Sequence, residues 1–218
     1  QRRPQRRRLL ELFQRRAAWL EQRVLQGHSN RVWSVRPVRE GTRAITGSED
    51  TTARLWDVAS GRCLRVFGEH DGPVWAADVS PDGEIAVTVG DEGVVRAWSV
   101  QDGRLLWRES IGAVRIRAVV CARVAGWVAA GAEDNDIHVF DLATGSPSVV
   151  LSGHTDRVNA LALIDGDRLV SGSRDGSVRM WDVSTGGCVA EFRPPAGSGY
   201  VWAAGAHVGR DWVAAGCE

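Results

Sequence analysis

Histidine, a hydroxyl residue, aspartate and tryptophan recur in this chain at fixed offsets. One set is His28, Thr46 or Ser48, Asp50 and Trp56; another is His154, Ser171 or Ser173, Asp175 and Trp181. A third keeps His70, Thr88 and Trp98, with Glu92 where the aspartate falls. Serine, histidine and aspartate are the groups of a nucleophilic hydrolase. The carboxylate orients the imidazole, which takes the hydroxyl proton as the oxygen attacks. Repetition argues against that chemistry, because an enzyme needs one such set beside an oxyanion-binding loop, and no such loop is evident. The same groups can instead tie a turn to a neighbouring loop by hydrogen bonds. No catalytic residue and no cofactor is therefore assigned. Cys63, Cys121, Cys188 and Cys217 lie far apart without metal-type spacing, so no metal site is expected either.

The elements that must hold these groups are short hairpins. Leu169–Asp182 places two apolar runs around a polar turn at Arg174-Asp175-Gly176. Ile45–Asp57 repeats it closely, Val87–Ser99 more loosely and Val128–Asp141 most loosely. The closing aromatics Trp56, Trp98, Phe140 and Trp181 are spaced by 42, 42 and 41 residues. Gly27-His28, Glu69-His70 and Gly153-His154 precede three of the four. The third copy lacks the histidine, has Ala130 and Ala132 in place of the hydroxyls, and retains Asp134. With fewer buried hydrogen bonds it is expected to be the least rigid.

Period and signature together resemble the WD40 repeat, over roughly residues 24 to 218. That resemblance implies an all-β fold, a β-propeller with four strands per blade. Four complete blades and part of a fifth are visible, preceded by a short α-helix. The expected division is a basic leader and amphipathic linker helix over 1–26 and a propeller over 27–218, apparently incomplete at its C-terminus. Inner strands are expected at 31–35, 74–79, 114–119, 158–163 and 201–206, and outer strands at 63–67, 104–108, 148–151 and 188–192. Val24–Gln26 is expected to be an outer strand leading into the first repeat. The resemblance also makes the recurring His, Thr/Ser, Asp and Trp a structural network.

Net charge is zero, yet residues 1–26 carry eight arginines and two glutamates while the remainder is acidic. All 27 basic residues are arginine. Leu9, Leu10, Phe13, Ala17, Leu20 and Val24 share one face of the expected leader helix. An arginine cluster can serve a nucleic-acid arm, but the interleaved apolar face suits a protein contact better, and the acidic propeller disfavours nucleic acid. Leu9–Leu20 also looks like the last helix of an F-box or its linker. No apolar run approaches membrane-spanning length and no signal-peptide pattern is evident. Unclustered cysteines are expected as buried thiols of a reducing compartment, which places the chain in the cytoplasm or nucleus.

By the same resemblance, function lies on one face of the ring. Two sets of positions are expected there: Trp33, Trp75, Arg117, Asn159 and Trp202 in the inner strands, and Glu49, Asp91, Glu133, Arg174 and Glu218 just before the turn acids. Tryptophan and arginine are the commonest interface hot spots. The expected activity is non-catalytic: a scaffold binding a protein or peptide partner, in its specific form the substrate receptor of a ubiquitin ligase whose adaptor binds an F-box upstream. The alternative is the scaffold of another multiprotein complex, with an RNA-associated propeller third.

Overall fold

The computed structural model describes residues 24–38, 41–122, 126–193, 199–207 and 212–217. Blade one comprises β1 (Val32–Val38), β2 (Arg43–Ser48), β3 (Ala53–Asp57) and β4 (Cys63–Phe67). Blade two follows with β5 (Val74–Val79), β6 (Ile85–Gly90), β7 (Val94–Ser99) and β8 (Leu105–Ser110). Blade three contains β9 (Ile116–Cys121), β10 (Trp127–Ala132), β11 (Ile137–Asp141) and β12 (Pro147–Leu151). Blade four contains β13 (Val158–Asp165), β14 (Arg168–Ser173), β15 (Val178–Asp182) and β16 (Gly187–Phe192). A fifth unit has β17 (Val201–His207) and β18 (Trp212–Cys217). Each sheet is an antiparallel meander in chain order, and the first strands β1, β5, β9, β13 and β17 touch in succession.

The second strand of each complete blade is buried on both faces: a blade stacks on each side of β10, and β2 has blade two on one side and Trp56 with the His28 loop on the other. That is why it reads as a continuous run of small and apolar residues. The fourth strand lies at the sheet edge and is partly exposed; β16 is exposed along its whole length. Between blades one and two the core holds Ile45, Leu55, Phe67, Val74 and Trp98. Ile137, Leu151, Val158, Leu161 and Trp181 fill the gap between blades three and four. Close approach of successive blades needs glycine at one point. A Cβ on Gly131 would stand 2.7 Å from Val158 Cγ1, and one on Gly172 would stand 2.5 Å from Val201 Cγ1.

Blade four meets the fifth unit through a smaller cluster of Val170, Val178 and Val201. Phe67 and Leu151, which end the fourth strands of blades one and three, are fully buried, whereas Phe192 at the same place in blade four is 62% exposed. One further contact spans the arc. Arg36 on β1 donates from Nη2 to the carbonyl of Leu161 on β13, at 3.0 Å and 125 residues away.

Several expectations need correction. Val24–Gln26 forms no strand, since its backbone pairs with none of the sheets among the described residues. The first strands run two or three residues further in blades one, three and four than expected, to Val38, Cys121 and Asp165, and the outer strand of blade two extends to Ser110. Cys63 and Cys188 are exposed rather than buried, because they lie at the first and second residues of the edge strands β4 and β16; Cys121 is buried, and all three are free thiols. The leader helix falls outside the described residues except for Val24 and Leu25, which are not helical. No helix among the described residues is long and apolar enough to cross a membrane.

Candidate partner-binding face

The repeated polar set closes into the same chain of hydrogen bonds in three blades. In blade four, His154 Nδ1 lies 2.9 Å from Asp175 Oδ2, and its Nε2 lies 2.6 Å from Ser171 Oγ. Trp181 Nε1–H donates to that same Ser171 Oγ at 2.7 Å. A carboxylate only accepts, so Nδ1 carries the imidazole proton and Ser171 donates to Nε2. Blade one repeats this with His28, Asp50, Thr46 and Trp56 at 2.7–2.9 Å. In blade two, Thr88 joins His70 and Trp98, and the longer Glu92 reaches His70 Nδ1 at 2.5 Å. Buried Arg96 also pairs with Glu92.

The Ser171–His154–Asp175 order is that of a hydrolase triad, but the oxygen has no route to substrate. Ser171 is fully buried and its Oγ already accepts the tryptophan N–H. Burial raises the pKa values of Asp50 and Asp175, but the hydrogen bonds from Thr52, His28 and the Ser29 amide, and from Ser177, the Thr155 amide and His154, overcome it. Both carboxyls are held well below the usual range. Burial pushes His154 down, against the opposing pull of Asp175. The pair is thus a neutral imidazole donating to an ionised carboxylate. Among the described residues no group of three or more His, Cys, Asp or Glu is placed to hold a metal ion.

Sequence offsets left the hydroxyl ambiguous, and the structure resolves it. Thr46 and Ser171 bridge histidine and tryptophan. Ser48 and Ser173 instead pin the turn, donating to the carbonyls of Arg31 and Asp156 and accepting from the amides of Asp50 and Asp175. Two partners were missed. Thr52 and Ser177, two residues after the aspartate, donate to it at 2.6 Å. The signal was the hydroxyl at that offset in two copies. Blade three also holds a histidine after all, taken from another strand. His138 on β11 donates from Nε2 to Asp134 Oδ2 at 2.8 Å, while Ala130, Ala132 and Phe140 are buried in apolar contacts.

The face residues are positioned by one repeated irregularity. In every first strand the pairing skips a residue: Trp33, Trp75, Arg117, Asn159 and Trp202. A bulge of this kind re-aims a side chain out of the ladder, here at each expected face position. The rings of Trp33 and Trp75 lie 4.8 Å apart, and the Arg117 guanidinium sits 4.4 Å from the Trp75 ring centre. Glu133 accepts from Arg117 at 2.6 Å and pairs with Arg157 at 3.4 Å; Arg157 lies 5.5 Å from the Trp202 ring. Trp75 Nε1–H donates to Asp91, which also pairs with Arg115 at 3.1 Å. Arg174 lies 4.7 Å from the Tyr200 ring and 3.9 Å from Asp156. Aromatics, arginines and acids therefore form one connected belt, with Trp33 and Trp202 about half exposed at 45% and 48%. Asn159 differs, spending its amide on the Val201 carbonyl between blades. Glu49 lies on this face beside the Arg31 carbonyl, which its amide N–H reaches at 2.9 Å. Glu218 lies outside the described residues.

Comparison with known proteins agrees with this architecture. The chain is 29% identical over 185 residues to WD repeat-containing protein pop1 of Schizosaccharomyces pombe, covering 82% of this chain and 24% of pop1. It is 43% identical over 56 residues to the THO complex subunit 6 homolog of Danio rerio, covering 25% of this chain and 17% of that protein. Cell division control protein 4 of Saccharomyces cerevisiae is 42% identical over 67 residues, 31% of this chain and 9% of that protein. The chain thus spans a quarter or less of the length of these relatives. The family model described as WD domain, G-beta repeat matches residues 19–57, 61–99 and 145–182, so that more than half of the chain is covered and the chain belongs to the WD40-repeat family.

Proposed function

We propose that this chain is a non-catalytic interaction scaffold that binds a protein partner, through a peptide segment, across the belt from Trp33 to Trp202. WD40-repeat proteins are in general protein-interaction scaffolds, and one relative is by name a homolog of a THO complex subunit. The observation that carries the reading is the Trp33–Trp75–Arg117 stack. Three hot-spot-type side chains are lifted from the ladder by bulges, Trp75 and Arg117 are fixed by Asp91 and Glu133, and Trp33 stacks on Trp75, so a partner meets a pre-ordered surface. Asp91 and Glu133 stand among the arginines and oppose a phosphate backbone, which disfavours nucleic acid. The test is selection of displayed peptides on the 218-residue chain, followed by the Trp75→Ala and Arg117→Ala variants. Loss of binding with an unchanged unfolding transition supports the face; equal binding by both variants moves the site elsewhere.

The finer form of this reading is the substrate receptor of an F-box-type ubiquitin ligase, acting in the cytoplasm or nucleus. It is supported by the Leu9–Leu20 stretch resembling the end of an F-box or its linker. The free thiols Cys63, Cys121 and Cys188 fit a reducing compartment. The coding sequence of the parent transcript upstream of Gln1 decides it: an F-box there supports the receptor, and a start codon beside Gln1 removes it.

A further inference from the structure

The belt repeats a unit that blade one leaves unfinished. In blades two and three, the acid before the turn (Asp91, Glu133) pairs with a residue of its own first strand, Trp75 or Arg117. It then receives an arginine from the next blade, Arg115 or Arg157. These two arginines occupy one structural position. The carbonyls of Arg31, Pro73, Arg115 and Arg157 each accept from the amide of the residue before the turn acid, at 2.9–3.2 Å. In blade four that position of the next unit is Tyr200, and the residue before the turn is Arg174, so aromatic and cation have changed places yet still meet.

Blade one has the acid Glu49 and the aromatic Trp33 but no cation. The position that would supply one is Pro73, and Glu49 makes no ion pair among the described residues. One face of Trp33 covers Trp75; the other contributes to its 45% exposure. Arg31, at the equivalent position in blade one, corresponds to arginines that reach back toward the preceding blade, away from Glu49.

We propose that the Trp33–Glu49 corner is the subsite for an arginine side chain of the partner peptide. Its guanidinium lies over the free face of Trp33 and pairs with Glu49, so that the partner supplies the cation that blade two does not. The equivalent set in blade two, Trp75 and Asp91 with Arg115 from the next blade, is completed within the chain, and Arg117, stacked on Trp75 and held by Glu133 of the following blade, shows one guanidinium meeting a ring and an acid together. This rests on the belt being the binding face, and it adds the chemistry of one residue in the partner.

The experiment titrates the 218-residue chain with the probe peptide acetyl-Gly-Ser-Arg-Ser-Gly-amide and with its citrulline and phosphoserine counterparts, following the tryptophan indole N–H signals by NMR. The arginine peptide should move the Trp33 signal most. Citrulline, which keeps the shape but not the charge, should bind about tenfold more weakly, a difference of about 1.4 kcal/mol. Glu49→Gln should erase the preference for arginine over citrulline. Pro73→Arg, which supplies the cation from within, should weaken the arginine peptide by about tenfold, since it restores the pairing that Arg115 makes with Asp91. Unchanged arginine preference in Glu49→Gln overturns the proposal, as does stronger binding of the phosphoserine peptide; either leaves the belt as the binding face. If none of the three peptides moves any of the Trp33, Trp75 and Trp202 signals and displayed peptides also fail, the subsite and the face fall together.

Discussion

His138 and Asp134 are paired at 2.8 Å across only four residues of a single hairpin, whereas His154 and Asp175 are joined at 2.9 Å across twenty-one. The first pair staples a turn to itself. The second ties the turn of blade four to the loop that precedes its first strand. Their side chains also differ in exposure, at 17% and 27% for the local pair against 0% and 3% for the distant one. Replacing His138 by alanine should therefore cost about 1 kcal/mol or less, as for a partly exposed pair. His154→Ala should cost about 2–3 kcal/mol by leaving Asp175 and Ser171 buried and short of a partner. Urea unfolding of both variants checks the difference, and equal losses would contradict it.

The bridging hydroxyl is a second point of leverage. Ser171 satisfies both His154 and Trp181, so Ser171→Ala leaves two buried groups unpaired and should cost about 1–3 kcal/mol. The reverse change in blade three, Ala130→Ser, should bring no gain, because Phe140 has no N–H to donate. Amide exchange within each blade resolves this locally. It also checks whether apolar packing has made blade three as protected as blade four, against the lower rigidity its sequence suggests.

Acidification should weaken the fold in two stages. His154 has a lower pKa folded than unfolded, from burial, so the stability it contributes is fully present above about 6.5 and is lost as pH falls through the lower folded value. Asp50 and Asp175 are depressed below an unfolded value of about 3.9 by their hydrogen bonds, so their contribution is present above that pH and disappears below it. The midpoint of thermal unfolding should fall first below about pH 6.5 and again below about pH 4. His154→Asn should flatten the upper limb alone, and Asp50→Asn should reduce the lower one.

Thr51 offers a stabilising change. It follows the turn aspartate of blade one with φ +68°, in the left-handed region where Gly93, Asn135 and Gly176 stand in the other blades at +67° to +79°. A β-branched residue is strained there by roughly 1–2 kcal/mol. Thr51→Gly should therefore raise stability by up to about 1 kcal/mol once the greater freedom of glycine in the unfolded chain is subtracted. Denaturant midpoints measure it.

Blade number, strand order and the His–Thr/Ser–Asp–Trp chains were legible in the sequence because each rests on residues repeated at one period. What the period could not carry was substitution by a different route. Glu92 stands at the aspartate's own offset and reaches the histidine with its longer side chain, whereas His138 does the work of an absent histidine from the neighbouring strand. The second has no counterpart at the expected offset. The same limit applied to the face. The positions of Trp33, Trp75, Arg117 and Trp202 follow from the repeat, but the stacking of Arg117 on Trp75 and the diversion of Asn159 to Val201 depend on which neighbours those positions face. Exposure of Cys63 and Cys188 was missed because apolar character in an edge strand does not imply cover on both sides.

The cross-arc bond from Arg36 to Leu161 bears on the order in which the chain assembles. Blade-to-blade contacts join segments about one repeat apart, so they can form successively as synthesis proceeds from the N-terminus. Arg36 must wait until blade four exists, and closing its 125-residue loop carries the largest entropy cost of any contact described here. It should be absent from the folding transition state. Removing Arg36 would then leave the folding rate nearly unchanged and speed unfolding, so this strut acts on how long the arc persists rather than on how quickly it forms.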